Sequence, residues 1–243
     1  DWLAAEFTAP SLSREPQASA ARGWSLKALH RLMVTSATYR MASTPDDACA
    51  ALDRDNLYYW RMGSRRMEAE VVRDSLFHVA GKLDLTVGGP DLDHAQGLTL
   101  PRRSLYFRHA QEKQMEFLKI FDTASVVECY QRTTSVVPQQ ALALANSDLA
   151  IRNARLVARA LHNGSEPTAF VQAAFEQVLS RPPTMEEQTE CVAFLEAQAK
   201  LYGPARSPAV VVDERTPSPD PVLRARENLI RILMNHHDFV TIR

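Results

Sequence analysis

The chain has 243 residues, 45% of them hydrophobic and 23% charged, and a formal net charge of −1. That is the composition of an ordinary globular protein, and folded chains of this length bury roughly 70–75% of their unfolded surface. Near-zero charge without a long basic block argues against a nucleic-acid binder, and no apolar run approaches the roughly 20 residues of a membrane span.

Only eight glycines, among many Ala, Leu, Arg and Glu, favour helix over sheet. DWLAAEF reads as the last turns of a helix, and a chain that starts at Asp1-Trp2 without a methionine reads as a fragment of something longer. Residues 8–23, rich in Ser, Ala and Pro, read as a surface insertion. Trp24 leads into a helix capped by Ser25, with Leu26, Leu29, Leu32 and Met33 at helical spacing. Ser36 to Asp47 is turn-like, and the aromatic-rich stretch from Leu52 to Trp60 opens into a central helical stretch that runs to Leu83.

With Ser64 as its N-cap and residues about 100° apart, that stretch puts Ala69, Val72, Leu76, Val79, Ala80 and Leu83 on one apolar face. Met67, Val71 and His78 lie roughly opposite, and Arg66, Glu70, Arg73 and Asp74 form a charged strip between them. Gly88 and Gly89 then suit a tight turn with positive φ. From Pro101 to Arg108, apolar Leu105 and Phe107 alternate with Ser104, Tyr106 and Arg108, the period of an edge strand. A short helix follows over Gln111 to Phe121, and another starts at Pro138 and runs to Asn146.

Ser147 caps a long helix to about His162, and the next begins at Ser165 or Glu166 and stops at Arg181-Pro182-Pro183. Thr184 to Glu187 is a capping-box sequence for a helix to about Tyr202. The 203–221 loop holds five prolines, after which Asp220-Pro221 starts the final helix. The expected fold is mainly α, an irregular multi-helix domain with at most a small two-stranded β element near 98–108. Residues 1–162 form its main body and 163–243 pack on it as C-terminal helices, the two making one cooperative unit.

Six stretches carry a family resemblance: GWSLKALHRLMVTSATYRMAS, LDRDNLYYWRMGSRRMEAEVVRDSL with LDLTVGGP after it, RRSLYFR, ECYQRTTSVVPQQALALANS, LSRPPTMEEQ and LIRILMNHHDF. In this order they resemble the planctomycete-type domain of unknown function 1553, also called planctomycete surface domain one. DWLAAEF resembles the middle of the family pattern, in keeping with the fragment reading. The resemblance implies a helical module of large exported (periplasmic or cell-surface) bacterial proteins, often in company with a c-type cytochrome domain. It supplies no catalytic residues. The chain departs from it in a longer first loop and in His236-His237 where Asn and Ser are more common.

The charged strip has two readings. Arg66, Glu70, Arg73 and Asp74 can pair internally, or Glu70 and Asp74 can serve as a carboxylate pair in a cleft. Flanking arginines keep carboxylates charged and neutralise the site, which favours internal pairing. A second constellation, Arg102, Arg103 and Arg108 with Glu128 and Arg132, suits either the protein's own carboxylates or the oxyanions of an acidic glycan.

Cys49, Cys129 and Cys191 form no CxxC or CxxCH, so no metal and no cofactor is expected in this chain, while a disulfide among them stays open. His236 and His237 are neighbours whose side chains diverge by about 100° on a helix and do not converge on one ion. The balance is against an enzyme and for a non-catalytic assembly or binding module, partnered by other domains of the same full-length protein. The alternatives are an enzyme or enzyme subunit acting on acidic polysaccharide and a docking module for a fused c-type cytochrome.

Overall fold

The structure, a computed structural model, describes residues 1–9, 23–128, 132–164, 166–203 and 215–242. It divides into two compact units, 1–65 and 66–242. The first contains α1 (Trp2–Thr8), α2 (Leu26–Thr35) and α3 (Asp47–Leu52). Ser25 caps α2 as its sequence predicts, its hydroxyl accepting from the Ala28 N–H at 3.3 Å. The short helix α3 rises from the end of the turn-like stretch, because the Asp46 carboxylate accepts from the Cys49 N–H at 2.8 Å and satisfies an orphan donor. Phe7 and Trp24 meet edge to face with centroids 5.3 Å apart. Within these three helices no residue is buried.

The second unit begins within β1 (Arg65–Arg66), which pairs with β2 (Thr241–Ile242) in a two-stranded sheet. It continues through α4 (Ala69–Val79), α5 (Glu116–Ile120), α6 (Pro138–Asn146), α7 (Asp148–Leu161), α8 (Pro167–Leu179), α9 (Met185–Tyr202) and α10 (Pro221–Met234). The fold is mainly α with one small two-stranded sheet. The strand pair lies at the two ends of this unit instead of near 98–108. There the chain forms isolated parallel bridges, Asp84 with Arg102 and Leu92 with Phe107, around a 3₁₀ turn at Ser104–Tyr106. The carbonyls of Gly97, Leu100 and Arg102 turn toward one guanidinium, so they cannot serve a regular ladder.

The start of α4 is also corrected. Glu68 is its N-cap, not Ser64, because the chain at Arg65–Arg66 is in β1 and the Met67 N–H donates to the Val240 carbonyl at 2.8 Å. Arg66 therefore stands outside the helix and makes no i,i+4 pair with Glu70. The helix predicted over Gln111 to Phe121 shrinks to α5, five residues with Phe117 and Leu118 buried.

The later helices follow their local signals closely. Pro138 occupies the first turn of α6, and Ser147 caps α7 through the Ala150 N–H. Thr184 and Glu187 complete both halves of the capping box on α9. On α7, Leu149, Ala150, Asn153, Ala154, Val157 and Ala158 form one buried face at spacings of one and three to four residues. The core gathers that face with Phe170, Val171, Ala174 and Phe175 of α8, Leu229, Ile230 and Leu233 of α10, and Val72 and Leu76 of α4. Burying each such large side chain contributes about 1.5–3 kcal/mol.

Two charged residues of α10, Arg226 and Glu227, are buried inside this helical packing. Glu227 on α10 accepts from Arg159 of α7 at 3.1 Å and from the Ser218 N–H at 3.1 Å, with Arg155 at 3.9 Å. Arg159 and Arg155 also donate to the Thr216 and Arg215 carbonyls, so the same cluster ties the segment before α10 to α7.

A candidate binding cleft over α4

Arg73 is the largest of the fully buried side chains, with 0% exposure. Val72 and Leu76 face the helical core, and the neighbouring Arg73 points into the irregular chain between residues 97 and 107. Its Nε donates to the Gly97 carbonyl at 2.7 Å, Nη2 to Leu100 at 2.7 Å, and Nη1 to Arg102 at 2.8 Å. The guanidinium also lies against the rings of Phe77 and Phe107, 4.9 and 4.6 Å from their centroids. Burial lowers its pKa to about 10 while Asp74, 3.2 Å away, acts in the opposite direction. Arg73 therefore remains charged at neutral pH and serves as a three-carbonyl staple.

Asp74 is the carboxylate partner of this staple. Its Oδ1 accepts from the Ser104 N–H at 2.8 Å and the Ser104 hydroxyl at 2.6 Å, as well as from Arg73. Ser104 is buried and uses its Oγ to accept from Arg73 at 3.1 Å. Together these bonds hold the 3₁₀ turn at Ser104–Tyr106 onto α4.

Above the turn lies a cleft of about 360 Å³. Glu68, Glu70 and Asp74 line it from the α4 side, and Arg103, Arg108 and Arg132 from the loops. Its apolar surface comes from Val71, Leu105, Phe107, Met115 and Leu118. Glu70 accepts from Arg132 at 2.7 Å through one oxygen and from the Thr123 hydroxyl at 3.1 Å through the other. Burial pushes its carboxyl up, but the bonds from Arg132, its own backbone and Thr123 outweigh this and hold the pKa below the usual value. Arg108 is engaged by Asp91 at 2.6 Å. Arg103 differs: it is half exposed and its only ion pair among the described residues is with Asp74, at 3.7 Å.

The structure thus gathers Glu70, Arg73, Asp74, Arg103 and Arg132 from the two predicted constellations. Arg102 points elsewhere, binding Asp84 at 3.2 Å, donating to the Gly88 carbonyl and stacking on Tyr106 at 4.3 Å. It fixes the glycine turn, whose Gly88 N–H also donates to the Tyr106 hydroxyl at 3.1 Å. Glu128 forms no ion pair with Arg132 among the described residues. Its N–H instead closes a turn on the Ser125 hydroxyl at 3.2 Å, and Arg132 goes to Glu70. Sequence reasoning missed Ser104 and Thr123, and the only signal at Ser104 was its polar place in the alternation from Ser104 to Arg108.

Among the described residues no group of three His, Cys, Asp or Glu is placed to hold a metal ion. His236 accepts from the Asp238 N–H, and His237 lies 3.3 Å from the Thr241 hydroxyl. Cys49 and Cys191 are free thiols, and Cys129 lies outside the described residues. No helix among the described residues is long and apolar enough to cross a membrane.

Residues 1–195 match the family model PSD1, a protein of unknown function (DUF1553). The chain belongs to this family. The match takes in every residue lining the cleft and ends before the closing LIRILMNHHDF stretch. No curated protein and no solved structure matches the PSD1 chain.

Proposed function

We propose that this PSD1 chain is a non-catalytic binding and assembly module of a larger exported protein, with the cleft over α4 as its recognition site. The observation that carries this is the state of the two inward carboxylates. Glu70 and Asp74 are each held by an arginine and by hydroxyl or backbone donors. A general acid needs a pKa near the working pH, whereas Glu70 is held on the charged side. The cleft combines an apolar floor with a few oriented polar groups, the usual make-up of a binding pocket. Family membership supports the exported setting.

The test uses the native polypeptide in the producing cells, detected with an antibody against this chain. It should fractionate outside the cytoplasm and run well above the 27.2 kDa of these 243 residues. Purified chain should turn over no member of a panel of ester, glycoside, phosphate and sulfate substrates. A cytoplasmic polypeptide of this size, or turnover abolished by Glu70→Gln, overturns the proposal.

A further inference from the structure

We propose that the cleft captures the free carboxy-terminus of a peptide whose last side chain is apolar. This rests on the binding-module reading above and names its ligand. The anchor is Arg103, with 49% of its side chain exposed and one ion pair at 3.7 Å, beyond hydrogen-bond reach. Ser104 and Arg73 both bind the other oxygen of Asp74, Oδ1, and the charge of Arg73 offsets that of Asp74, so Asp74 holds Arg103 only through Oδ2 at 3.7 Å. Arg103 therefore presents an open guanidinium fork, the group whose geometry matches a carboxylate through two parallel bonds.

Charge bookkeeping limits the ligand to one anionic group. Arg108 is engaged by Asp91 and Arg132 by Glu70, so among the described residues the cleft offers one loosely held cation instead of a row. A polyanionic glycan needs such a row. The surroundings of Arg103 suit an apolar body: Val71 and Leu105 are 40% and 58% exposed on the walls, with Met115 and Leu118 beneath. The 360 Å³ volume lies at the small end of the roughly 300–1,000 Å³ of ligand pockets, room for a terminal residue more than for a long segment. Glu68, 57% exposed at the same cleft, is placed to accept from N–H groups further up the peptide.

The experiment titrates the isotope-labelled intact chain with acetyl-Ala-Ala-Leu as the free acid and as the carboxamide, following backbone amide shifts. The free acid should move Val71, Ser104 and Leu105. The carboxamide and the Arg103→Met variant should each weaken binding by about tenfold or more, the loss of a charge-assisted pair. The variant should keep the wild-type melting temperature, and Arg103→Lys should recover part of the affinity. No shifts with the free acid, equal binding of acid and amide, or tighter Arg103-dependent binding of an oligogalacturonate overturns the peptide assignment. Mass spectrometry of the recovered probe separates the two levels of failure. A cleaved probe removes the non-catalytic reading itself, while an intact unbound probe removes only the ligand.

Discussion

Arg73 and Glu227 are both charged side chains inside the second unit, but they are neutralised in different ways. Arg73 is a cation fully enclosed by chain, answered by three backbone carbonyls, Ser104 and Asp74. Glu227 is an anion at 4% exposure, answered by arginines that are themselves 16% and 20% exposed. The arginines around Glu227 can turn toward water if it is lost. The carbonyls of Gly97, Leu100 and Arg102 converge on the enclosed guanidinium, so its loss leaves them without that donor in the interior. The irregular 97–107 segment is held by polar ties, chiefly Arg73 and Asp74 with isolated bridges to residues 84 and 92, whereas α7 and α10 share an apolar interface. The cleft is built on the region held by polar ties.

That difference can be broken by substitution. Arg73→Met keeps the apolar stem, leaves three carbonyls unanswered and strips Asp74 of its nearer arginine. With Asp74 left to Ser104 and the more distant Arg103, it should cost about 3–5 kcal/mol, read as a lowered urea midpoint, the usual loss when one member of a buried pair is removed. Glu227→Gln keeps the shape and should cost about 2 kcal/mol, the scale of hydrogen bonds to charged groups. Equal losses at the two sites would erase the proposed contrast.

Smaller effects sharpen it. Glu70→Ala removes a pair whose members are 27% and 30% exposed, so a loss of about 1 kcal/mol is expected in the same assay. Arg181 offers a third arrangement, two parallel bonds to Glu187 at 2.7 and 2.6 Å and one to Asp238 at 2.8 Å. Hydrogen bonding from Arg181 lowers the Glu187 pKa to about 2, below the 4.5 of a free glutamate. The folded state therefore binds its proton less tightly, and the resulting stability is complete above pH 4.5 and lost as pH falls toward 2. An acid series of thermal melts should show that loss in the wild type and a shallower one in Glu187→Gln.

Much of the helical frame was legible because its signals are local. Ser25, Ser147, the Thr184–Glu187 box and Asp220-Pro221 each satisfy orphan donors within a few residues of themselves. The Arg73 staple was not legible. On a helical wheel it joins the polar strip with Glu70 and Asp74, and only the long-range approach of residues 97–104 turns it into a core residue. The same holds for the start of α4: Ser64 is a good cap by type, but β-pairing with residues 241–242 claims the chain first. The candidate site was half visible. Glu70, Asp74, Arg103 and Arg132 do meet, while Arg102 leaves to pin Gly88 and Glu128 goes unused.

The smallest effect is also the most discriminating one. Arg103 sits beside Arg73 over the same carboxylate, yet among the described residues its side chain makes one ion pair, at 3.7 Å. The central claim is that the charges beneath the cleft are structural and the one at its rim is not. Urea denaturation of Arg73→Met and Arg103→Met in the intact chain tests it directly. Arg73→Met should lose about 3 kcal/mol or more and Arg103→Met should stay within about 0.5 kcal/mol of wild type. Similar losses for both, or the larger loss at Arg103, would contradict it.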